Sequence, residues 1–113
     1  MKALPLAVAE WVFRLPWMRR TTWLAMVADG RPPEDTLRPD LVILEIRDGY
    51  LKWAHLLCPK CGDHIELPMA GREKWTVKMD WLRRPTFFPS IWERATCGAH
   101  FFIRGGEPSW SRE

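Results

Sequence analysis

The sequence predicts an α+β fold: an N-terminal helical segment followed by a small antiparallel, zinc-ribbon-like β domain. Three observations carry this. Apolar residues recur at helical spacing only near the N-terminus, where Trp11, Leu15 and Met18 stand at i, i+4 and i+7. From residue 41 onward, apolar residues run continuously or alternate between turn signals. Two short cysteine-bearing turns, Cys58-Pro59-Lys60-Cys61 and Cys97-Gly98-Ala99-His100, lie within the β-patterned part. The expected organisation is a helical segment over 1–28, a Pro-rich linker or loop over 29–40, and a zinc-stapled β domain over 41–113.

In the first segment, residues 6–26 read as helix in two pieces. Pro16 breaks the run, because its ring removes a backbone donor and clashes with the preceding turn. Residues 21–28 are expected as a second short helix ending at Asp29-Gly30. The stretch 29–40 holds three prolines among charged residues and reads as loop.

The strands follow in order. Leu41–Ile46 is an apolar run interrupted by Glu45, and Asp48-Gly49 supplies a two-residue hairpin turn. Residues 50–57 then alternate, placing Leu51, Trp53, His55 and Leu57 on one face. Further strands are expected over 64–69, 74–81, 86–92 (interrupted by Pro89) and 100–104. Gly105-Gly106 then turns the chain into Glu107–Trp110. Eight Trp and five Phe suit a dense small core, since each buried ring removes roughly 150–250 Å² from water.

The cysteines carry the strongest chemical signal. There are three, an odd number that suits a metal set in a reducing compartment better than a disulfide framework, so a cytoplasmic location is expected. Cys58, Cys61, Cys97 and His100 together offer three thiolates and an imidazole, a closed tetrahedral set for one structural Zn²⁺. Soft sulfur ligands favour Zn²⁺ over Mg²⁺ or Ca²⁺. His55 and His64 stand near the first turn and are alternatives to His100 as fourth ligand. A zinc deaminase is excluded by order: it needs H-x-E before its cysteine pair, whereas His64-Ile65-Glu66 follows Cys58 and Cys61.

The segments CPKCGDHIELPM, WTVKMDW, Pro89-Ser90-Ile91, CGAHFFIRGG and Trp110 together resemble the DUF6527 family, small uncharacterised bacterial and phage-associated proteins, over about residues 41–110. The resemblance implies zinc held by both turns, hence by Cys58, Cys61, Cys97 and His100. It also implies an accessory role beside ubiquitin-like conjugation or phage systems. Residues 1–40 carry no part of it.

The functional expectation is a zinc-stapled protein-interaction module, with Trp17, Trp23, Trp92 and Trp110 as the aromatic candidates for its surface and another protein as partner. A nucleic-acid-binding ribbon is the first alternative, using Arg83, Arg84, Phe87, Phe88 and Arg104. Against it, the net charge is only +3 and the charges are spread through the chain. Membrane-surface attachment through residues 1–28 is the second alternative, with Trp11, Phe13, Trp17 and Trp23 among Arg14, Arg19 and Arg20. The apolar run Ala3–Ala9 ends at Glu10, too short for a secretory signal, and no stretch approaches the ~20 residues of a membrane span. No enzyme is expected: Ser90 and Asp80 have no visible catalytic partner in the sequence, and no catalytic residue is assigned.

Overall fold

The computed structural model describes residues 3–15, 22–72, 74–94 and 96–111. They form a mostly-β small domain with one short helix and several small sheets, mixed and antiparallel. The elements are α1 (Leu6–Phe13), β1 (Leu24–Asp29), a 3₁₀ turn (Glu34–Thr36), β2 (Leu41–Arg47), β3 (Tyr50–Leu57), β4 (His64–Pro68), β5 (Thr76–Met79), β6 (Pro85–Phe88), β7 (Ile91–Trp92), β8 (His100–Arg104) and β9 (Glu107–Trp110). Three sheets result, in the orders β1-β2-β3-β4, β5-β6 and β7-β8-β9.

The expected second helix is instead β1, and it pairs with β2 in parallel, Leu24 opposite Leu41 through Asp29 opposite Ile46. The physical reason lies in β2. Residues 41–45 of β2 are all buried, so the strand cannot stand at a sheet edge facing water. β3 occupies one edge and β1 covers the other. An apolar run such as LAMVA suits a strand beside such a neighbour as well as it suits a helix. The largest sheet is therefore mixed, and not antiparallel as expected. Among the described residues α-helix remains over Leu6–Phe13, and Pro16 lies outside them.

The rest of the strand pattern holds. Asp48 and Gly49 both take positive φ (52° and 80°), the hairpin turn geometry that glycine favours. Alternation on β3 sends Ala54 and Leu56 into the core and His55 to the opposite face. The main core packs Val42, Leu44, Ala54, Leu56, Ile65 and Leu67 of the large sheet against Phe87, Ile91, Phe101 and Ile103 of the other two. A smaller cluster joins Ala9 and Phe13 of α1 to Leu24 and Leu82.

Gly106 couples the β8–β9 turn to the entry of β1. Its carbonyl accepts the Trp23 N–H at 2.6 Å, and its own N–H donates to the Pro85 carbonyl at 2.8 Å. At φ 77° a Cβ here would stand 2.5 Å from the Trp23 carbonyl oxygen and 2.8 Å from Thr22 Cγ2, so only glycine permits the approach. Trp23, expected as a surface aromatic, is buried in the core cluster.

Candidate active site and cysteine cluster

The segment between β6 and β7 carries Ser90. The indole N–H of Trp75 donates to the Ser90 carbonyl at 3.2 Å and fixes the backbone there. His100 opens β8, opposite Trp92 of β7 in the antiparallel register. This hairpin brings together two side chains ten residues apart: Ser90 Oγ lies 2.7 Å from His100 Nε2.

The imidazole is held by rings. Trp92 stacks on it at 4.8 Å between centroids and 12° between planes. Phe102, two residues along the strand, follows at 6.1 Å and 29°. Arg94 caps Trp92 at 4.5 Å, and Arg104 caps Phe102 at 4.3 Å, so a cation covers each flanking ring. His100 Nδ1 is buried and has no hydrogen-bond partner among the described residues. A cavity of about 330 Å³, lined by Lys60, Gly98, Ala99, His100, Trp110 and Ser111, reaches the imidazole from solvent.

For chemistry, one tautomer matters. With the hydroxyl donating to Nε2, the ring proton sits on Nδ1, and Nε2 can take the serine proton as the oxygen becomes nucleophilic. The usual third member, an acid on Nδ1, is not found among the described residues. Stacking instead sets the ring plane.

The cysteines gather beside this pair. Ligand atoms of Cys58, Cys61 and Cys97 all lie within 4.8 Å of one another, so these three could hold a metal ion. The first turn is closed by Gly62 N–H to the Cys58 carbonyl at 2.9 Å and Cys58 N–H to the Asp63 carbonyl at 2.8 Å. The second is the β7–β8 connection, tightened by Glu93 N–H to the Ala99 carbonyl at 2.7 Å and Gly98 N–H to the Glu93 carbonyl at 2.8 Å. Lys60 Nζ ties the turns together through the Cys97 carbonyl at 3.2 Å.

The donor set fits a soft divalent cation. Two thiolates about 2.3 Å from a tetrahedral ion stand about 3.8 Å apart, and Cys58 Sγ and Cys97 Sγ are separated by 3.6 Å. The Ala99 backbone N–H holds the Cys97 thiol below its ordinary range. The Asp63 backbone N–H pulls Cys61 down as well, but Cys97, burial and Cys58 together push it up to about 12. Three sulfurs this close resist joint ionisation, and a bound cation relieves that.

His100 does not join the cysteine group; its Nε2 faces Ser90. His55 and His64 are also apart from it and form a cluster with Glu66. Among the other residues singled out, Phe87 is buried, whereas Phe88, Trp92 and Trp110 are exposed, as are Trp11 and Trp81. Arg83 donates to the Leu4 and Ala25 carbonyls at 2.5 and 3.1 Å, and Arg84 pairs with Asp80 at 2.6 Å. With Arg104 on Phe102, the three guanidiniums of the expected basic strip all have internal partners. Phe13 is buried in α1, and Trp17, Arg19 and Arg20 lie outside the described residues. No helix among the described residues is long and apolar enough to cross a membrane.

A serine in hydrogen-bond contact with an imidazole, beside a possible metal-binding trio of cysteines, is the arrangement of a hydrolase candidate. Residues 28–111 match the family model described as bacterial ubiquitination-like system serine protease (BubE), and the chain belongs to that family. No curated protein and no solved structure matches it.

Two expectations are thereby corrected. The family shown is BubE, where the resemblance named DUF6527; the match also starts earlier, at residue 28, and takes in the last two residues of β1, Ala28 and Asp29. The expectation of no enzyme is overturned by the family's description as a serine protease. Sequence reasoning missed the Ser90–His100 pair because Pro89-Ser90-Ile91 has no local nucleophile signature and His100 completes a metal-like C-x-x-H spacing. The one available signal was that His100 opens an alternating strand, which aims its side chain along a sheet face.

Proposed function

We propose that this chain is a serine protease of a bacterial ubiquitination-like system, with Ser90 as nucleophile and His100 as general base. The 2.7 Å contact between Ser90 Oγ and His100 Nε2 carries the reading, and membership of the BubE family supports it. Ser90 Oγ attacks the scissile carbonyl carbon as its proton passes to Nε2. The same proton then goes to the leaving amine as the carbon–nitrogen bond breaks, and water repeats the sequence to free the serine. The partner is accordingly a polypeptide substrate, and the cavity between Lys60, His100 and Trp110 is open to it beside the imidazole.

Cys58, Cys61 and Cys97 hold one structural Zn²⁺ in this proposal. Such an ion ties the β3–β4 turn to the β7–β8 turn, and through Cys97 it fixes the start of the strand that presents His100. Three reduced cysteines kept for a metal suit the cytoplasm.

The test is active-site labelling with a fluorophosphonate probe, read by intact mass and peptide mapping. One adduct on Ser90, absent from Ser90→Ala, is expected. Labelling undiminished in Ser90→Ala sinks the assignment.

A further inference from the structure

His55, His64 and Glu66 lie on the face of the large sheet away from the main core. His55 stands opposite Glu66 in the β3–β4 register, and His64 opposite Leu57. His55 Nδ1 is 2.8 Å from His64 Nε2 and 4.0 Å from Glu66 Oε1, and His64 Nε2 is 3.8 Å from the same oxygen. Ligands about 2.0–2.1 Å from a tetrahedral ion stand about 3.3–3.4 Å apart, a spacing these three distances bracket.

The outer nitrogens decide what the inner ones are. His55 Nε2 meets Glu45 Oε1 at 2.7 Å, with both side chains fully buried. A carboxylate accepts and cannot donate, so the His55 proton sits on Nε2 and the inner Nδ1 is a lone pair. His64 Nδ1 faces the exposed Glu34 Oε1 at 3.4 Å, while the 2.8 Å contact with the His55 lone pair places the His64 proton on the inner Nε2 of the metal-free protein. A metal ion would displace that shared proton to Nδ1, beside Glu34, and two lone pairs and a carboxylate oxygen would then converge on it. Carboxylates on the far nitrogens of metal-binding histidines are the usual second layer of a metal centre.

We propose that His55, His64 and Glu66 form a second metal centre, for a divalent transition-metal ion of the Zn²⁺ class, oriented by Glu45 and Glu34. Two imidazoles and a carboxylate suit such an ion better than Mg²⁺ or Ca²⁺. The ion joins the 30–40 connection to the sheet, since Glu34 comes from that connection and the ligands from β3 and β4. Arg31 Nη2 pairs with Glu66 Oε1 at 2.7 Å, so its guanidinium competes for the oxygen a metal takes; Arg31 is half exposed and free to swing into water.

The experiment uses the full, reduced chain saturated with Co²⁺, with metal counted by elemental analysis after gel filtration. His64→Ala is expected to bind one equivalent fewer than the unsubstituted chain while keeping the same sulfur-to-cobalt charge-transfer band. Arg31→Ala is expected to bind this ion several-fold more tightly, an effect that loss of a merely structural ion pair does not produce. If His64→Ala does not fold, Glu66→Gln is read in the same way. Equal metal content in the folded variant and the unsubstituted chain overturns the proposal and leaves a plain N–H···N contact. One ion without the charge-transfer band, lost in His64→Ala, supports this centre and refutes the cysteine one.

Discussion

Replacing His100 by Ala removes the base in contact with Ser90 and leaves the hydroxyl in place. General base catalysis contributes roughly 10²–10⁴-fold. The lower end applies here, because no acid on Nδ1 among the described residues stabilises the imidazolium as it forms. The expected loss is therefore about 100-fold, or about 2.7 kcal/mol of transition-state stabilisation. The structural cost is the ring contacts with Trp92 and Phe102, each worth about 0.5–1.5 kcal/mol, and the hydrogen bond to Ser90. The assay is the second-order rate of fluorophosphonate labelling at Ser90, beside a circular-dichroism melt that shows the variant folded. A folded His100→Ala labelled within about threefold of the unsubstituted chain would refute His100 as base, since removal of a true base costs at least tenfold more.

Three further outcomes follow from the same geometry. Cys97→Ser is expected to lose the sulfur-bound ion, melt at lower temperature and label more slowly at Ser90, because structural zinc in small domains is worth an apparent ~10–16 kcal/mol against a total stability of ~5–15 kcal/mol. Unchanged melting and metal content in that variant count against the cluster. Gly106→Ala places a methyl group 2.5 Å from the Trp23 carbonyl at positive φ, and chemical denaturation is expected to show a loss of about 2 kcal/mol or more. Glu45 gives a pH dependence. Burial pushes its carboxyl up, but the hydrogen bond from His55 and the ion pair with Arg47 hold it below the ordinary carboxylate range. Its contribution is complete above about pH 4–5 and fades as pH falls through the depressed folded value. Glu45→Gln is therefore expected to cost about 1–3 kcal/mol near neutrality, with the gap closing in acid; a gap that widens in acid contradicts the sign.

Much of this protein was legible in its residues. Period-2 alternation over 50–57, the Asp48-Gly49 and Gly105-Gly106 turns, and the pairing of Cys58 and Cys61 with Cys97 are local patterns, set by spacing within a few residues or by the chemistry of sulfur. The resemblance also pointed to a ubiquitin-like conjugation setting, and the family match carries that setting in its description. Three things needed the tertiary structure. Residues 24–29 chose strand over helix because β2, buried on both faces, required a second neighbour. Ser90 met His100 because two strands folded back across a ten-residue hairpin and placed the rings of Trp92 and Phe102 about the imidazole. His55, His64, Glu66 and Glu45 came together on one sheet face through pairings of three strands. Spacing in sequence fixes what neighbours along a chain can do, whereas a catalytic or metal-binding contact is a distance in space, which only the packing of sheets sets.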